Sequence, residues 1–161
     1  KERGQLALDR QLHEITLELL TAIDDPEAKM MQAEALYRLR QYEDSMNTCY
    51  SILSNTETSH SIRGHVLNII GRCYQQLYQH EMAVEQFSLA LEKYREHPRL
   101  LQVCRVKINM AVSLIHLEEF ESAIEDLTYA KKIATEINDT VALKTILHNE
   151  TYIHSVIASR H

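Results

Sequence analysis

The sequence contains no tryptophan, only three glycines and only two prolines among its 161 residues. Glycine and proline most often interrupt helices and form turns, so their scarcity favours long helices joined by short connections. The sequence also lacks a run of about 18 apolar residues, which excludes a membrane-spanning helix at the level of sequence. No alternation of apolar and polar residues lasts for the length of a strand, and this argues against a β-sheet.

An excess of positive charge is also missing, because 17 lysines and arginines face 23 aspartates and glutamates, for a net charge of −6. Binding to nucleic acid or to an anionic membrane needs a basic surface, so we expect neither as the main partner of this segment. The first residues, Lys1-Glu2-Arg3-Gly4, contain neither an initiator methionine nor a signal peptide. We therefore expect an excised segment, with any targeting signal or fused domain outside it.

Motifs of catalysis and metal binding are absent from the sequence as well. The three cysteines, Cys49, Cys73 and Cys104, form no CxxC pair and lie within apolar helical patterns, which predicts buried, reduced thiols in a cytoplasmic protein. The nine histidines are scattered and include no HExxH motif, and there is no glycine-rich phosphate loop or nucleophile elbow. We therefore predict a protein that is not an enzyme and that has no cofactor and no metal site.

Apolar residues instead recur at spacings of three and four along almost the whole chain, which is typical of amphipathic helices. Asp25-Pro26 is a good helix start, since aspartate can cap a helix and proline fits its first turn. Residues 54–59 are polar and turn-like, and His97-Pro98 marks another break. No linker is evident, so we predict one all-α domain over 1–161. The predicted helices are 3–22, 26–39, 42–54, 59–77, 80–96, 98–117, 120–136 and 140–159.

Three pairs of small residues recur along the chain, and the two members of each pair are separated by twelve positions. Two helices pack closely only where small side chains lie at their crossing, so each pair predicts one helix hairpin, with the two small residues facing each other. A hairpin leaves one apolar face uncovered and therefore needs the next hairpin beside it. The pairs are Ala33 and Ser45, Gly71 and Ala83, and Ala111 and Ala123.

This pattern resembles the tetratricopeptide repeat family, whose first helix carries a large apolar residue, then Leu-Gly/Ala and Tyr, and whose second carries Ala, Phe and Ala. The resemblance implies a right-handed α-solenoid with repeats at about 26–57, 62–97 and 102–137, flanked by helices 3–22 and 140–159. The repeats are longer than the period of about 34 residues that is common in the family. Lys29, Leu67 and Lys107 stand at the usual tryptophan positions. The residues that carry the resemblance are Ala33, Leu36, Ser45, Cys49, Ile52, Leu67, Ile70, Gly71, Tyr74, Ala83, Phe87, Ala90, Met110, Ala111, Leu114, Ala123, Leu127 and Ala130.

In such stacks the first helices of successive repeats line a concave surface. Three asparagines recur here at nearly the repeat period, and an asparagine side chain offers both a donor and an acceptor to a peptide backbone. Three arginines on the same helices would pair with carboxylates. Solvated polar residues without a binding role would give the same pattern. The candidate groove residues are Arg38, His65, Asn68, Arg72, Gln75, Arg105, Asn109, His116, His148, Asn149 and Tyr152.

The leading hypothesis is a non-catalytic scaffold that binds a protein or an extended peptide in this groove. The long period and the helix endings resemble peptide-sensing bacterial regulators, which usually carry a DNA-binding or effector domain upstream, while adaptors of protein complexes remain equally open. The alternative is a structural module that assembles or dimerises through its terminal helices or its convex face. A cofactor-free enzyme on a helical scaffold is a third hypothesis.

Overall fold

The described part of the chain folds into eight helices, as the sequence predicts. The computed structural model describes residues 2–20, 24–95 and 99–160, without the side chains of residues 2–4, and contains no strand in these ranges. The predicted break at 97–98 and the predicted end of the first helix at residue 22 lie outside them. The helices are Glu2–Leu20 (α1), Pro26–Arg38 (α2), Tyr42–Leu53 (α3), His60–Gln76 (α4), His80–Lys93 (α5), Leu100–His116 (α6), Phe120–Glu136 (α7) and Thr140–Ser159 (α8).

The helices form two layers. Helices α2, α4, α6 and α8 lie side by side, each in contact with the next, and form the inner layer. Helices α3, α5 and α7 each pack between their own inner helix and the following one, and among the described residues they do not contact one another. This arrangement is an α-solenoid, in which successive hairpins bury one continuous core.

The small residues lie where the helices of a hairpin cross. In the first hairpin the Ser45 hydroxyl donates to the Ala33 carbonyl oxygen at 2.7 Å, and both residues are fully buried. In the second, a Cβ atom added to Gly71 would lie 2.5 Å from Cε1 of Phe87. Glycine is therefore required here because of the Phe87 ring. The sequence spacing pairs Gly71 with Ala83, which lies one turn earlier in α5 than Phe87.

Four turns between helices use a left-handed residue that is not glycine. Arg40, Tyr78, Glu118 and Asn138 have φ angles of 63°, 58°, 60° and 57°. Each ends a helix in the manner usually reserved for glycine, with its backbone N–H bonded to the carbonyl three residues earlier. The scarcity of glycine predicted short turns, and the structure shows that they form at the expense of backbone strain.

One guanidinium group makes three hydrogen bonds to the turn at residues 54–59. Arg63 donates to the carbonyl oxygens of Leu53 at 3.2 Å, Asn55 at 2.6 Å and Thr58 at 3.2 Å. The Ser59 hydroxyl accepts from the Ile62 backbone N–H at 3.3 Å and so caps α4. At the start of α2, by contrast, Pro26 occupies the first turn as predicted, but Asp25 makes no side-chain capping bond.

The three cysteines are fully buried and free of disulfides, which confirms their predicted location. Burial raises the pKa of each thiol, so all three are poor nucleophiles. In the part of the chain that the structure describes, none of the helices combines the length and the apolar character needed to cross a bilayer.

Candidate functional site

A cavity of about 600 Å³ lies on the inner surface and draws its walls from α2, α4, α6 and α8. The structure therefore brings together side chains from four helices that lie roughly one repeat apart in the sequence. Six of the predicted groove residues line this cavity. They are Arg38, His65, Asn68, Arg72, Arg105 and Asn109.

Two asparagines at the floor of the cavity bind each other. Nδ2 of Asn109 donates to Oδ1 of Asn68 at 3.2 Å across the α4–α6 contact. Among the described residues, Nδ2 of Asn68 and Oδ1 of Asn109 have no partner. The pair therefore presents one donor and one acceptor to the cavity, which is the combination that one peptide unit of an extended backbone satisfies.

Gln75 lies behind this pair and not in the wall of the cavity. Its Nε2 donates to the carbonyl oxygen of Asn109 at 2.6 Å and to the hydroxyl of Ser113 at 2.8 Å. Both bonds join α4 to α6, so Gln75 fixes the position of Asn109.

Arg72 is already engaged within the protein. Its guanidinium makes two bonds to the carboxylate of Glu34, at 2.9 and 3.1 Å, and lies 4.2 Å from the ring centre of Tyr37. Arg38 contacts the same carboxylate at 3.3 Å. Burial tends to raise the pKa of Glu34, but the hydrogen bond and the charge of Arg72, aided by Arg38 and His65, lower it overall. Glu34 is thus ionised and neutralises part of the positive charge in the cavity.

Arg105 is the arginine that remains for a ligand. It is exposed, and it has no hydrogen bond or ion pair among the described residues. The cavity wall contains Arg38, Arg72 and Arg105 against Glu34 and Asp139, a surplus of one positive charge in a chain whose net charge is −6. The cavity therefore favours an anionic group near Arg105.

His65 lies in the same wall and is neutral at neutral pH. Burial lowers its pKa most strongly, and the charges of Arg72 and Arg105 lower it further, while Glu34 acts in the opposite direction. A carboxylate placed in the cavity would favour the protonated form of this ring.

The last three predicted residues line a different cavity. His148, Asn149 and Tyr152 surround a space of about 460 Å³ between α6 and α8. Nδ2 of Asn149 donates to the carbonyl oxygen of Thr145 in its own helix at 3.1 Å, so Asn149 does not continue the asparagine pair. The candidate residues thus fall into a main groove, a second cavity and the bracing residue Gln75.

A polar chain leads from the main groove to the edge of the solenoid. The hydroxyl oxygen of Ser113, which accepts from Gln75, lies 3.0 Å from Nδ1 of His80. The His80 ring in turn stacks on the His116 ring, with ring centroids 4.3 Å apart. Burial first, and then the neighbouring His116, lower the pKa of His80. The predicted groove residue His116 therefore lies in the wall of the second cavity, stacked on a ring that the sequence did not single out.

The sequence did not indicate several residues of the main cavity. The most important is Glu34, which lies 38 residues before Arg72, one repeat period away. Opposite charges at the repeat interval were the available signal, because neighbouring inner helices bring such positions together. The other missed residues of the wall include Tyr94, Gln102, Asp139, Val141 and Thr145.

Several solved structures match almost the whole chain, among them RapI and PlcR. The apo form of RapI aligns with 98% of it at a TM-score of 0.78 and 21% identity, and PlcR of Bacillus thuringiensis, in complex with the peptide PapR7 and DNA, aligns with 96% at 0.77 and 16%. The chain has a tetratricopeptide-like fold. MamA of Desulfovibrio magneticus RS-1 also matches, over 98% of the chain at a TM-score of 0.61 and 16% identity.

These identities establish the fold alone. The chain spans about three fifths of the RapI and PlcR chains, 60% and 61%, and 93% of the MamA chain. A scan against protein-family models finds no match, and a search of curated protein sequences finds none either.

Proposed function

We propose that this chain is a non-catalytic scaffold that binds an extended peptide, or an extended segment of a partner protein, in the main groove. The observation that carries the proposal is the open donor and acceptor of Asn68 and Asn109 beside Arg105. Hydrogen bonds to the ligand backbone would hold any extended sequence, and Arg105 would select for a carboxylate.

The structure also limits the chemistry of the ligand. Arg72 and Arg38 already share the carboxylate of Glu34, so they contribute less to charge recognition than the sequence suggested. We expect one acidic group, either a side chain or a terminal carboxylate, close to Arg105. The four inner helices span roughly 24 Å at a usual spacing of about 8 Å between packed helices, so an extended peptide of about seven residues, at about 3.3 Å per residue, reaches across them.

The fold offers further support for the proposal. The PlcR structure contains a peptide, which shows that a protein of this fold binds one. Within that resemblance we propose that the segment belongs to a larger cytoplasmic regulator or adaptor. The net charge of −6 supports assigning any contact with DNA to another part of such a protein.

The test is a binding measurement on random seven-residue peptides in two matched libraries, one containing Asp and Glu and the other containing Asn and Gln in their place. We expect selection from the acidic library only. Individual selected peptides are then titrated by fluorescence anisotropy against the unmodified chain and its variants.

Arg105→Gln should weaken binding by about 10- to 100-fold, because a hydrogen bond to a charged group contributes about 1.5–3 kcal/mol. Asn109→Ala should weaken it by about 2- to 10-fold, because the bond from Asn109 to the peptide backbone joins neutral groups and contributes about 0.5–1.5 kcal/mol. The matched control is Lys132→Gln, which removes an exposed positive charge from the outer helix α7. Equal selection from both libraries, or full affinity in Arg105→Gln, would reject the groove as the binding site.

The alternative function, assembly through the ends of the solenoid, depends on a different surface. The terminal helices also expose apolar side chains outside the main groove, Leu147 on α8 and a more continuous set on α1.

A further inference from the structure

Among the described residues, helix α1 is covered on one side and leaves an apolar row of side chains open on another. The half-buried residues His13, Thr16, Leu17 and Leu20 are those on the side of α2, the one helix that α1 contacts among the described residues. At about 100° per residue, a second apolar row lies about 120° around the helix from this side. This row, the α1 stripe, consists of Leu8, Leu12, Ile15 and Leu19, which are 62%, 60%, 46% and 70% exposed.

The α1 stripe has the spacing of a coiled-coil seam. Its members follow one another at intervals of four, three and four residues, which places them at alternating d and a positions of a heptad. Together they expose on the order of 400 Å² of apolar surface, a patch as large as the largest one on a typical monomeric protein. An isolated apolar seam of this kind is a surface for another helix.

We propose that the α1 stripe of one copy packs against the α1 stripe of a second copy, in an antiparallel two-fold dimer. In an antiparallel pair an a position faces a d position of the other helix, so Leu8 would face Leu19 of the partner copy and Leu12 would face Ile15 of the partner copy. Both pairs centre on the same point between residues 13 and 14, so one two-fold axis satisfies the whole stripe.

The residues that flank the stripe are compatible with this pairing. Gln11 and Glu18 lie at g positions, and Asp9 and Thr16 at e positions. The antiparallel register brings Gln11 near Glu18 of the partner copy and Asp9 near Thr16 of the partner copy. The amide of Gln11 therefore meets the carboxylate of Glu18, the neighbour of Asp9 is uncharged, and no two like charges oppose each other.

Area and shape favour a second copy of modest affinity. Two stripes bury on the order of 800 Å² of apolar surface and, with their polar flanks, roughly reach the lower limit of specific interfaces, where associations are weak and transient. The stripe lies about 120° around α1 from the α2 side, so α2 does not cover the surface that the second copy would occupy. The outer face of α8 is different, since the exposed Leu147 is surrounded there by Lys144, Thr151 and His154.

Sedimentation of the chain at concentrations from about 1 to 100 µM, which suit a weak association, tests the proposal. We expect the mass to rise with concentration from 18.7 kDa towards twice that value. The double variant Leu12→Glu/Ile15→Glu should remain at 18.7 kDa throughout, with unchanged circular dichroism because both side chains are exposed. A monomeric unmodified chain at the top of this concentration range, or a dimeric double variant, would overturn the proposal.

A charge swap tests the direction of the helices. In Leu12→Lys/Ile15→Glu, an antiparallel dimer places each lysine opposite a glutamate of the partner copy, whereas a parallel dimer places like charges together. The swapped variant should therefore dimerise, unlike the variant with two glutamates, and a monomer here would overturn the antiparallel register. Leu147→Glu on α8 is the matched control and should dimerise as the unmodified chain does. Dimer variants should also bind groove peptides normally, which separates this proposal from the groove.

Discussion

Gly71→Ala tests whether the hairpin crossing in the middle repeat requires glycine. A Cβ atom at this position would lie 2.5 Å from Cε1, 2.7 Å from Cδ1 and 2.9 Å from Cζ of Phe87, whereas ordinary contacts begin at 3.4 Å. The ring would have to move by about 0.9 Å, the difference between 3.4 and 2.5 Å. Phe87 is fully buried among other core side chains, so this movement displaces its neighbours as well.

The expected cost follows from two opposing effects. Overpacking a well-packed core costs about 3 kcal/mol at the upper end of the observed range, and we use that end because the ring has no free space. Alanine in place of a helical glycine returns about 1 kcal/mol. The free energy of unfolding should therefore fall by about 2 kcal/mol, which lowers the melting temperature of a chain of this size by roughly 4–8 °C.

Urea denaturation followed by circular dichroism measures this change, and a double-mutant cycle identifies its cause. Phe87→Leu should be destabilising on its own because it leaves a cavity, by about 1–2 kcal/mol. In the Gly71→Ala/Phe87→Leu protein, the loss of unfolding free energy should be about 2 kcal/mol smaller than the sum of the two single losses. The reason is that leucine removes the ring that the new methyl group would meet. Additive effects, or a Gly71→Ala protein at least as stable as the unmodified one, would refute the reasoning.

Three further predictions concern the turns and the histidines. Tyr78→Gly should stabilise the fold by about 0.5–1 kcal/mol in urea denaturation, because it removes left-handed strain at a residue that is 84% exposed, whereas Asn138→Gly should change little because asparagine tolerates this conformation. Because the pKa of His80 is lowered in the folded state, the folded protein binds fewer protons in acid than the unfolded protein does. Stability should therefore fall as the pH drops below about 6.5, the usual pKa of histidine. His80→Gln should flatten this part of the profile of melting temperature against pH. If His80→Gln left the acid-side slope unchanged, the stacked His80–His116 pair would not be its source. An acidic peptide should bind more tightly at pH 6 than at pH 7.5, since its carboxylate raises the depressed pKa of His65, and His65→Asn should abolish that difference in fluorescence anisotropy.

The sequence predicted the helices and the spacing of the crossings because both depend on local periodicity. It also placed Asn68 and Asn109 on a common surface, since the repeat interval brings equivalent positions of neighbouring inner helices together. It did not predict that Glu34 would engage Arg72, because a side chain's choice among nearby partners depends on rotamers and burial that no spacing encodes.

Two other features escaped prediction for physical reasons. Asn149 continues the numerical series of asparagines, yet its side chain binds a carbonyl within α8, so equal spacing did not secure equal orientation. The left-handed turn residues were not predicted, because none of them is glycine. Their positions nevertheless follow the repeat, since Arg40, Tyr78 and Glu118 are spaced by the same intervals as the small residues of the three inner helices.

The hydrogen bonds between neighbouring inner helices give the solenoid an uneven stiffness. The Glu34–Arg72 and Gln75–Asn109 bonds join α2 to α4 and α4 to α6, while the outer helices α3, α5 and α7 do not touch one another in the described part of the chain. We expect the solenoid to flex mainly by changing the distances between its outer helices, since the inner helices are joined directly to one another. Bending would then keep the spacing of the groove nearly constant, so that a flexed or partly unwound stack would still present the same pattern of donors and acceptors.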